Sequence, residues 1–246
     1  MTKILIASPS YDGNVRKEFM RSIMVLTDYF RHAGIEWDMR IEQASLLHVM
    51  RSVMASKALL DEGTTHLLFI DTDMEFSVSA IRKLIAAGKD VIGCASPYRT
   101  IPLHEPVKEA GKTFRQAISQ AVPYAVRLLP GTALTVERGI CEVASIGTGI
   151  VLISTEALGR MRDSGAVGRY QAHFPYTQWF GHENYFGFFE PVVVDGTYLG
   201  EDYSFCRRWS ERCGGKVYAV VDEEIGHYGP MPVLGRYLDQ VRARQG

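Results

Sequence analysis

The run HLLFIDTDMEF, residues 66–76, decides how this chain is read. His66 to Ile70 is a short, almost unbroken apolar stretch, the signature of a strand buried on both faces. Asp71-Thr72-Asp73 follows at once. In open α/β sheets, ligands gather outside the carboxyl ends of the strands. Two carboxylates spaced i, i+2 in a non-helical turn can face one side there. Hard oxygen donors of this kind suit Mg²⁺ or Mn²⁺, with phosphate oxygens and waters completing the shell. D-x-D alone is a common pair, and a solvated turn is its bland alternative. The buried strand in front of it favours the metal.

Upstream, Lys3 to Ala7 (KILIA) reads as a first buried strand ending in Ser8-Pro9-Ser10. Val15 to Ala33 carries Phe19, Ile23, Leu26 and Phe30 at helical spacing, with Gly34 as its stop. Trp37 to Ile41 predicts a second strand, and Leu46 to Leu60 a helix. Downstream, Ser79 to Ala87 predicts a short helix and Val91 to Cys94 a strand. Alternating strands and helices argue a mostly parallel sheet with helices on both faces.

The second half is more individual. Residues 100–145, with runs such as Ala133 to Val136, predict irregular structure with short antiparallel strands. Ile146 to Ile153 (IGTGIVLI) reads as a buried strand entered through Gly147 and Gly149, with a helix from Thr155 to Met161. His173 to Pro191 is rich in aromatics and has no period. Its Tyr176, Trp179, Tyr185, Phe186 and Phe188 suit either a sugar-stacking lid or a satellite core, with core packing slightly ahead. His182 and Glu183 lie in the same loop, where contact with substrate is the lesser expectation. Tyr203 to Cys213 predicts a helix, Lys216 to Val221 a strand, and a basic tail closes the chain. With 246 residues and neither repeat nor linker, the chain reads as one domain, 1–246.

Two further clusters carry chemistry. Glu201 and Asp202 stand before the Tyr203 helix. An acid there can simply stabilise a helix N-terminus, or it can serve as a general base. His227, in Gly226-His227-Tyr228-Gly229-Pro230, is either structural or a metal ligand.

The apolar fraction is 46%, the charged fraction 22% and the net charge -1. That is ordinary globular composition, and its bulk charge gives no support to nucleic-acid binding. Cys94, Cys141, Cys206 and Cys213 form no C-x-x-C pair, which argues against a thiolate zinc site and for reduced, mostly buried thiols. Residues 1–10 are too briefly apolar for a signal peptide, and no run approaches the ~20 apolar residues of a spanning helix. A cytoplasmic protein is expected, with peripheral contact to the inner face of a membrane left open.

Taken in order, HLLFIDTDMEF, SIGTGIVLI, YLGEDYSFCRRW and a late GHYGP make the chain resemble the GT-A fold glycosyltransferases, most closely an uncharacterised group of small bacterial and viral members. The resemblance covers nearly the whole chain, and the order of the four motifs is far more specific than any one. It implies a Rossmann-like, mostly parallel sheet flanked by helices, with a smaller antiparallel or irregular C-terminal part. Residues 1–99 would form a nucleotide-binding half and 100–246 an acceptor-binding half. It implies Mn²⁺ or Mg²⁺ held by Asp71, Asp73 and His227, and a UDP- or GDP-sugar donor. Ser8, Pro9 and Tyr11 would cradle the nucleotide base. Arg51 would contact the donor, alongside Asp71. Gly147 and Gly149 would admit the sugar. Asp202, with Glu201, would be the base of an inverting transfer to a glycan, lipid-linked or other hydroxyl acceptor. The middle segment and the aromatic loop 174–189 match no family motif. A sugar nucleotidyltransferase and a non-catalytic nucleotide-sugar-binding module are the alternatives. The former normally shows a glycine-rich basic loop after the first strand, where Ser8 to Arg16 has only Gly13. DNA-base glucosylation is disfavoured by the near-neutral charge.

Overall fold

Strand β1 (Lys3–Ser10), helix α1 (Lys17–Ala33) and strand β2 (Glu36–Gln43) open a computed structural model that describes residues 2–100, 113–131, 133–173, 176–229 and 233–245. Then come α2 (Leu47–Leu60), β3 (His66–Ile70), β4 (Met74–Glu75), α3 (Val78–Ala86), β5 (Val91–Cys94), α4 (Phe114–Ala121), β6 (Val126–Arg127), β7 (Ile140–Val143), β8 (Ser145–Ile146) and β9 (Ile150–Ser154). The remainder is α5 (Thr155–Asp163), β10 (Arg169–Gln171), α6 (Thr177–Phe180), β11 (Asn184–Phe186), β12 (Val192–Val194), β13 (Thr197–Leu199), α7 (Glu201–Cys213), β14 (Val217–Val220), β15 (Ile225–His227), β16 (Val233–Gly235) and α8 (Tyr237–Gln245).

The expected α/β architecture is what the chain adopts. A seven-stranded sheet runs in the order β2-β1-β3-β9-β5-β14-β7. Strands β2, β1, β3, β5 and β14 point one way, and β9 and β7 run against them. On one face, α1 and α3 bury Phe19, Ile23, Leu26, Phe30, Ile81 and Leu84 against Ile4, Ile6, Leu68 and Ile70. On the other, α2, α5 and α7 bury Met50, Val53, Leu158, Phe205 and Trp209 against Leu5, Ala7, Leu67 and Phe69. The alternation of β1 residues between the two clusters is the two-residue period of a strand covered on both sides. Helix α1 stops at Gly34, whose φ of 66° suits a residue without Cβ.

The N-terminal elements lie where the sequence pattern put them, within one or two residues at their ends except for β1, which runs three residues past Ala7 to Ser10. The middle departs from expectation. Residues 101–112 and 132 lie outside the described residues. After residue 112 comes a helix, α4, that the scattered prolines and charges concealed. Its start is a capping box, with Thr113 accepting from the Gln116 amide and Gln116 answering. Ala133 to Val136 forms no strand, whereas Ile140–Val143 joins the edge of the main sheet beside β14. Helix α7 begins at Glu201, not Tyr203, so Asp202 sits in its first turn and Gly200 takes the N-cap position.

The aromatic segment is largely core. Phe174 and Pro175 lie outside the described residues. Tyr176, Phe180, Phe188 and Phe189 are buried, and β10 and β11 pair as a hairpin. Phe189 stacks on Phe205 with centroids 4.7 Å apart, worth about 0.5–1.5 kcal/mol beyond burial. Helix α2 receives this segment through hydroxyls: Ser52 Oγ accepts from the Phe189 amide and Ser56 Oγ from the Phe186 amide. His182 lies 2.9 Å from Asp61, the residue capping the C-terminal end of α2. It therefore anchors the hairpin to the end of α2 remote from Arg51.

Candidate active site

The antiparallel course of β9 builds the site. Because β9 runs against β3 and β5, its entry lies at their carboxyl edge, and the Asp71 amide donates to the Gly149 carbonyl at 2.9 Å. Gly147-Thr148-Gly149 thus lies at that edge. A Cβ on Gly147 would meet the Ala125 methyl at 2.7 Å and lie 3.5 Å from Asp202 Oδ2. A Cβ on Gly149 would come within 3.1 Å of Met74 Cε. Close approach requires glycine at 147, whereas at 149 the flexible tip of Met74 would have to give by a few tenths of an ångström. A side chain at one end of the segment would reach Asp202, and the other end is bonded to the D-x-D turn.

Asp71 faces Arg51. Both Asp71 carboxylate oxygens accept from Arg51 Nη2, at 2.7 and 2.9 Å. Arg51 projects from α2, is almost wholly buried, and lies 5.3 Å over the Phe69 ring. Its Nε is 3.7 Å from Glu201 Oε1, and among the described residues neither Nε nor Nη1 finds a hydrogen-bond partner. Arg51 therefore stands between the D-x-D and the acidic pair of α7. Burial raises the pKa of Asp71, and Asp73 adds to the rise against the opposing Arg51 charge.

Asp73 faces the other way. Strand β4 pairs with β15, setting His227 opposite Met74, and the Tyr228 amide donates to the Asp73 carbonyl at 2.8 Å. His227 Nε2 then lies 3.4 Å from Asp73 Oδ2. His227 Nδ1 is 2.7 Å from the Pro97 carbonyl. A carbonyl only accepts, so Nδ1 carries the proton and Nε2 is the atom turned to Asp73. Burial opposes charge on His227, yet Asp73 and the Pro97 carbonyl lift its pKa above the ordinary value. Burial likewise works on Asp73, but His227 and Arg99 bring its pKa below the usual range. Arg99 Nη1 donates to Asp73 Oδ2 at 3.0 Å.

Asp202 lies at the far end of the glycine segment. Its Oδ1 accepts from the Tyr203 amide at 2.7 Å. Burial and the neighbouring Glu201 charge push its pKa up to about 6. Beside it, the Tyr203 and Tyr98 hydroxyls are 3.1 Å apart, and the Arg127 guanidinium lies 4.2 Å over the Tyr203 ring.

Ser8 and Pro9 are buried at the end of β1, and Tyr11 beyond them is 68% exposed. The β1–β3 ladder ends at Ala7 and Phe69, two residues short of Pro9 and Asp71. The Ser8 hydroxyl is buried without a hydrogen-bond partner among the described residues.

Among the described residues no group of three His, Cys, Asp or Glu side chains gathers as a metal cage. Asp73 and His227 supply one oxygen and one imidazole nitrogen at a single point, a donor set that fits a divalent ion sharing its shell with phosphate and water. Asp71, turned to Arg51, does not converge with them. Sequence reasoning missed Tyr98, Arg99, Arg127 and Tyr203. The rule that singled out Asp71, the carboxyl end of a buried strand, would have found Tyr98 and Arg99 just beyond β5. Three of the four cysteines are buried and none is paired.

No protein-family model and no curated protein matches the chain. Solved structures similar to it include glycosyltransferases. Protein A197 from STIV is 17% identical with a TM-score of 0.48, over 96% of this chain and 95% of that one. GalNAc-T7 is 13% identical with a TM-score of 0.45, over 94% of this chain and 43% of that one. A 4-diphosphocytidyl-2C-methyl-D-erythritol synthase from Anaerococcus prevotii is 10% identical with a TM-score of 0.40, over 89% and 88%. At such identities and scores they carry no chemistry to this chain, which its own side chains must supply. No helix among the described residues is long and apolar enough to cross a membrane.

Proposed function

We propose that the chain is a metal-assisted glycosyltransferase, moving a sugar from a UDP- or GDP-type nucleotide sugar to an acceptor hydroxyl with inversion. The observation that carries this is the glycine segment 147–149, with Asp202 against one end and the D-x-D turn bonded to the other. Thr148 and Gly149 form a turn before β9, so the first and last Cα of the segment are at most ~7 Å apart, the scale of one sugar ring between a base and a diphosphate site. Asp73 and His227 would hold Mn²⁺ or Mg²⁺, which when bound neutralises charge on a departing diphosphate. Arg51 steadies Asp71 behind them, and Arg99 adds positive charge at the same end. Ser8, Pro9 and Tyr11 border the crevice between β1 and β3 where the nucleotide base would lie.

Asp202 does the proton chemistry. The acceptor oxygen forms its bond to the anomeric carbon as the bond to the diphosphate breaks, and the hydroxyl proton passes to the Asp202 carboxylate. A pKa near 6 leaves Asp202 ionised at neutral pH yet basic enough to take that proton. The test begins with a nucleoside-diphosphate screen for thermal stabilisation with Mn²⁺, followed by product analysis. Release of a nucleoside diphosphate is expected, whereas release of inorganic diphosphate would identify a nucleotidyltransferase. Asp73→Ala should abolish transfer while the fold persists. Full activity in metal-free buffer would sink the metal role.

A further inference from the structure

The outer edge of β2 is open. Strand β2 ends the sheet order, pairing only with β1, and among the described residues no strand covers its other side. It is eight residues long, without proline. An exposed edge of that length is a template for pairing with another chain. The surface beside it carries apolar side chains among charged ones such as Lys3, Asp28 and Glu36. Trp37 and Ile41 are exposed, as are Met20 and Met24 of α1. Trp37 lines a groove with Met24, Thr27 and Arg31. The pairings Ile4 with Trp37 and Ile6 with Met39 place Trp37, Met39 and Ile41 on the α1 face of the sheet.

We infer that a second copy of this chain pairs with β2 edge to edge, antiparallel, about a twofold axis normal to the sheet. The charges select the register. With Met39 opposite its own copy, Asp38 faces Arg40 on one side of the axis and Arg40 faces Asp38 on the other. Directly opposed residues share a face of an antiparallel pair, so Trp37 meets Ile41 on the α1 face in the same register. Only Glu36 and Glu42, at the strand ends, meet like charges. Shifting so that Asp38 or Arg40 faces itself places like charges at the centre. Within one chain, Arg40 Nε lies 3.7 Å from Asp38 Oδ2, a loose pair whose two side chains stay partly exposed at the edge. The twofold keeps both α1 helices on one face, so the Met20 and Met24 stripes flank the new strand pair and widen the contact beyond the backbone ladder. An isologous interface of this kind is the commonest closed assembly. The inference does not rest on the proposed chemistry.

Sedimentation equilibrium of the full chain tests it. The expected mass is twice the 27.5 kDa of one chain, about 55 kDa. Arg40→Asp and Asp38→Arg each oppose like charges across the axis and should shift the mass to that of a monomer. The double variant Asp38→Arg/Arg40→Asp restores opposite charges and should restore the dimer, which keeps the test decisive if a single variant folds poorly. Circular dichroism and a melting curve report folding throughout. A monomeric wild type overturns the inference, as does a dimer indifferent to Arg40→Asp, or a folded double variant that stays monomeric.

Discussion

Arg51→Met is the substitution that most directly tests how the site is held. The side chain is almost wholly buried, and Met keeps much of its volume without its charge. What remains is Asp71, whose two oxygens lose the Arg51 Nη2 donor at 2.7 and 2.9 Å. Removing one partner of a buried ion pair costs about 3–5 kcal/mol, chiefly because the other charge is left unpaired. The Asp71 side chain is 26% exposed, so water recovers part of this and the expected loss is about 2–4 kcal/mol. For a chain of this size a loss near 3 kcal/mol lowers Tm by about 6–12 °C. Asp71→Asn in the Arg51→Met background removes the stranded charge while keeping the shape. The double variant should therefore be more stable than Arg51→Met alone, a coupling that a double-mutant cycle from urea unfolding reads directly. If Arg51→Met costs less than about 1 kcal/mol, or if adding Asp71→Asn lowers stability further, the Arg51–Asp71 pair is not what holds the D-x-D turn.

The remaining predictions concern the base, the histidine and a packing contact. Asp202 acts ionised, so kcat/KM should fall as pH drops through about 6, and Asp202→Asn should bind nucleotide but lose turnover. Because its folded pKa is raised, the stability linked to Asp202 is present below its unfolded value and lost as pH rises through about 6. Asp202→Asn should therefore melt above wild type at pH 8, with the difference shrinking toward pH 4; normal turnover by this variant would place the base elsewhere. His227→Ala should raise the Mn²⁺ concentration needed for half-maximal donor binding by about 10-fold or more, measured by calorimetry, and an unchanged requirement would exclude His227 as a ligand. Gly215→Ala would set a Cβ 1.9 Å from the buried Trp209 ring, so a loss of about 1–3 kcal/mol is expected. Wild-type melting would show that α7 moves freely at that contact.

The sequence by itself determined the N-terminal framework. Apolar runs of five to eight residues alternating with helical stripes leave few arrangements that bury both, and these strands and helices formed as the periodicity required. The same runs placed Asp71 and Asp73 at a strand end. Buried aromatics were legible as core because their surface is too large to leave in water. Helix α4 was hidden because its evidence is a local capping box rather than a long stripe. Strand direction was not legible. A buried apolar run such as IVLI reads the same parallel or antiparallel, since both put side chains on alternate faces, and only pairing with β3 and β5 turned β9 around. That reversal brought Gly147 and Gly149 to the carboxyl edge, Gly147 against Asp202 and Gly149 against the D-x-D turn. Tertiary structure also decided which charge each acid meets. Arg51 is 20 residues from Asp71 in sequence, and His227 is 154 from Asp73. Such distances carry no local signal, and only the packing of α2 and the pairing of β4 with β15 close them.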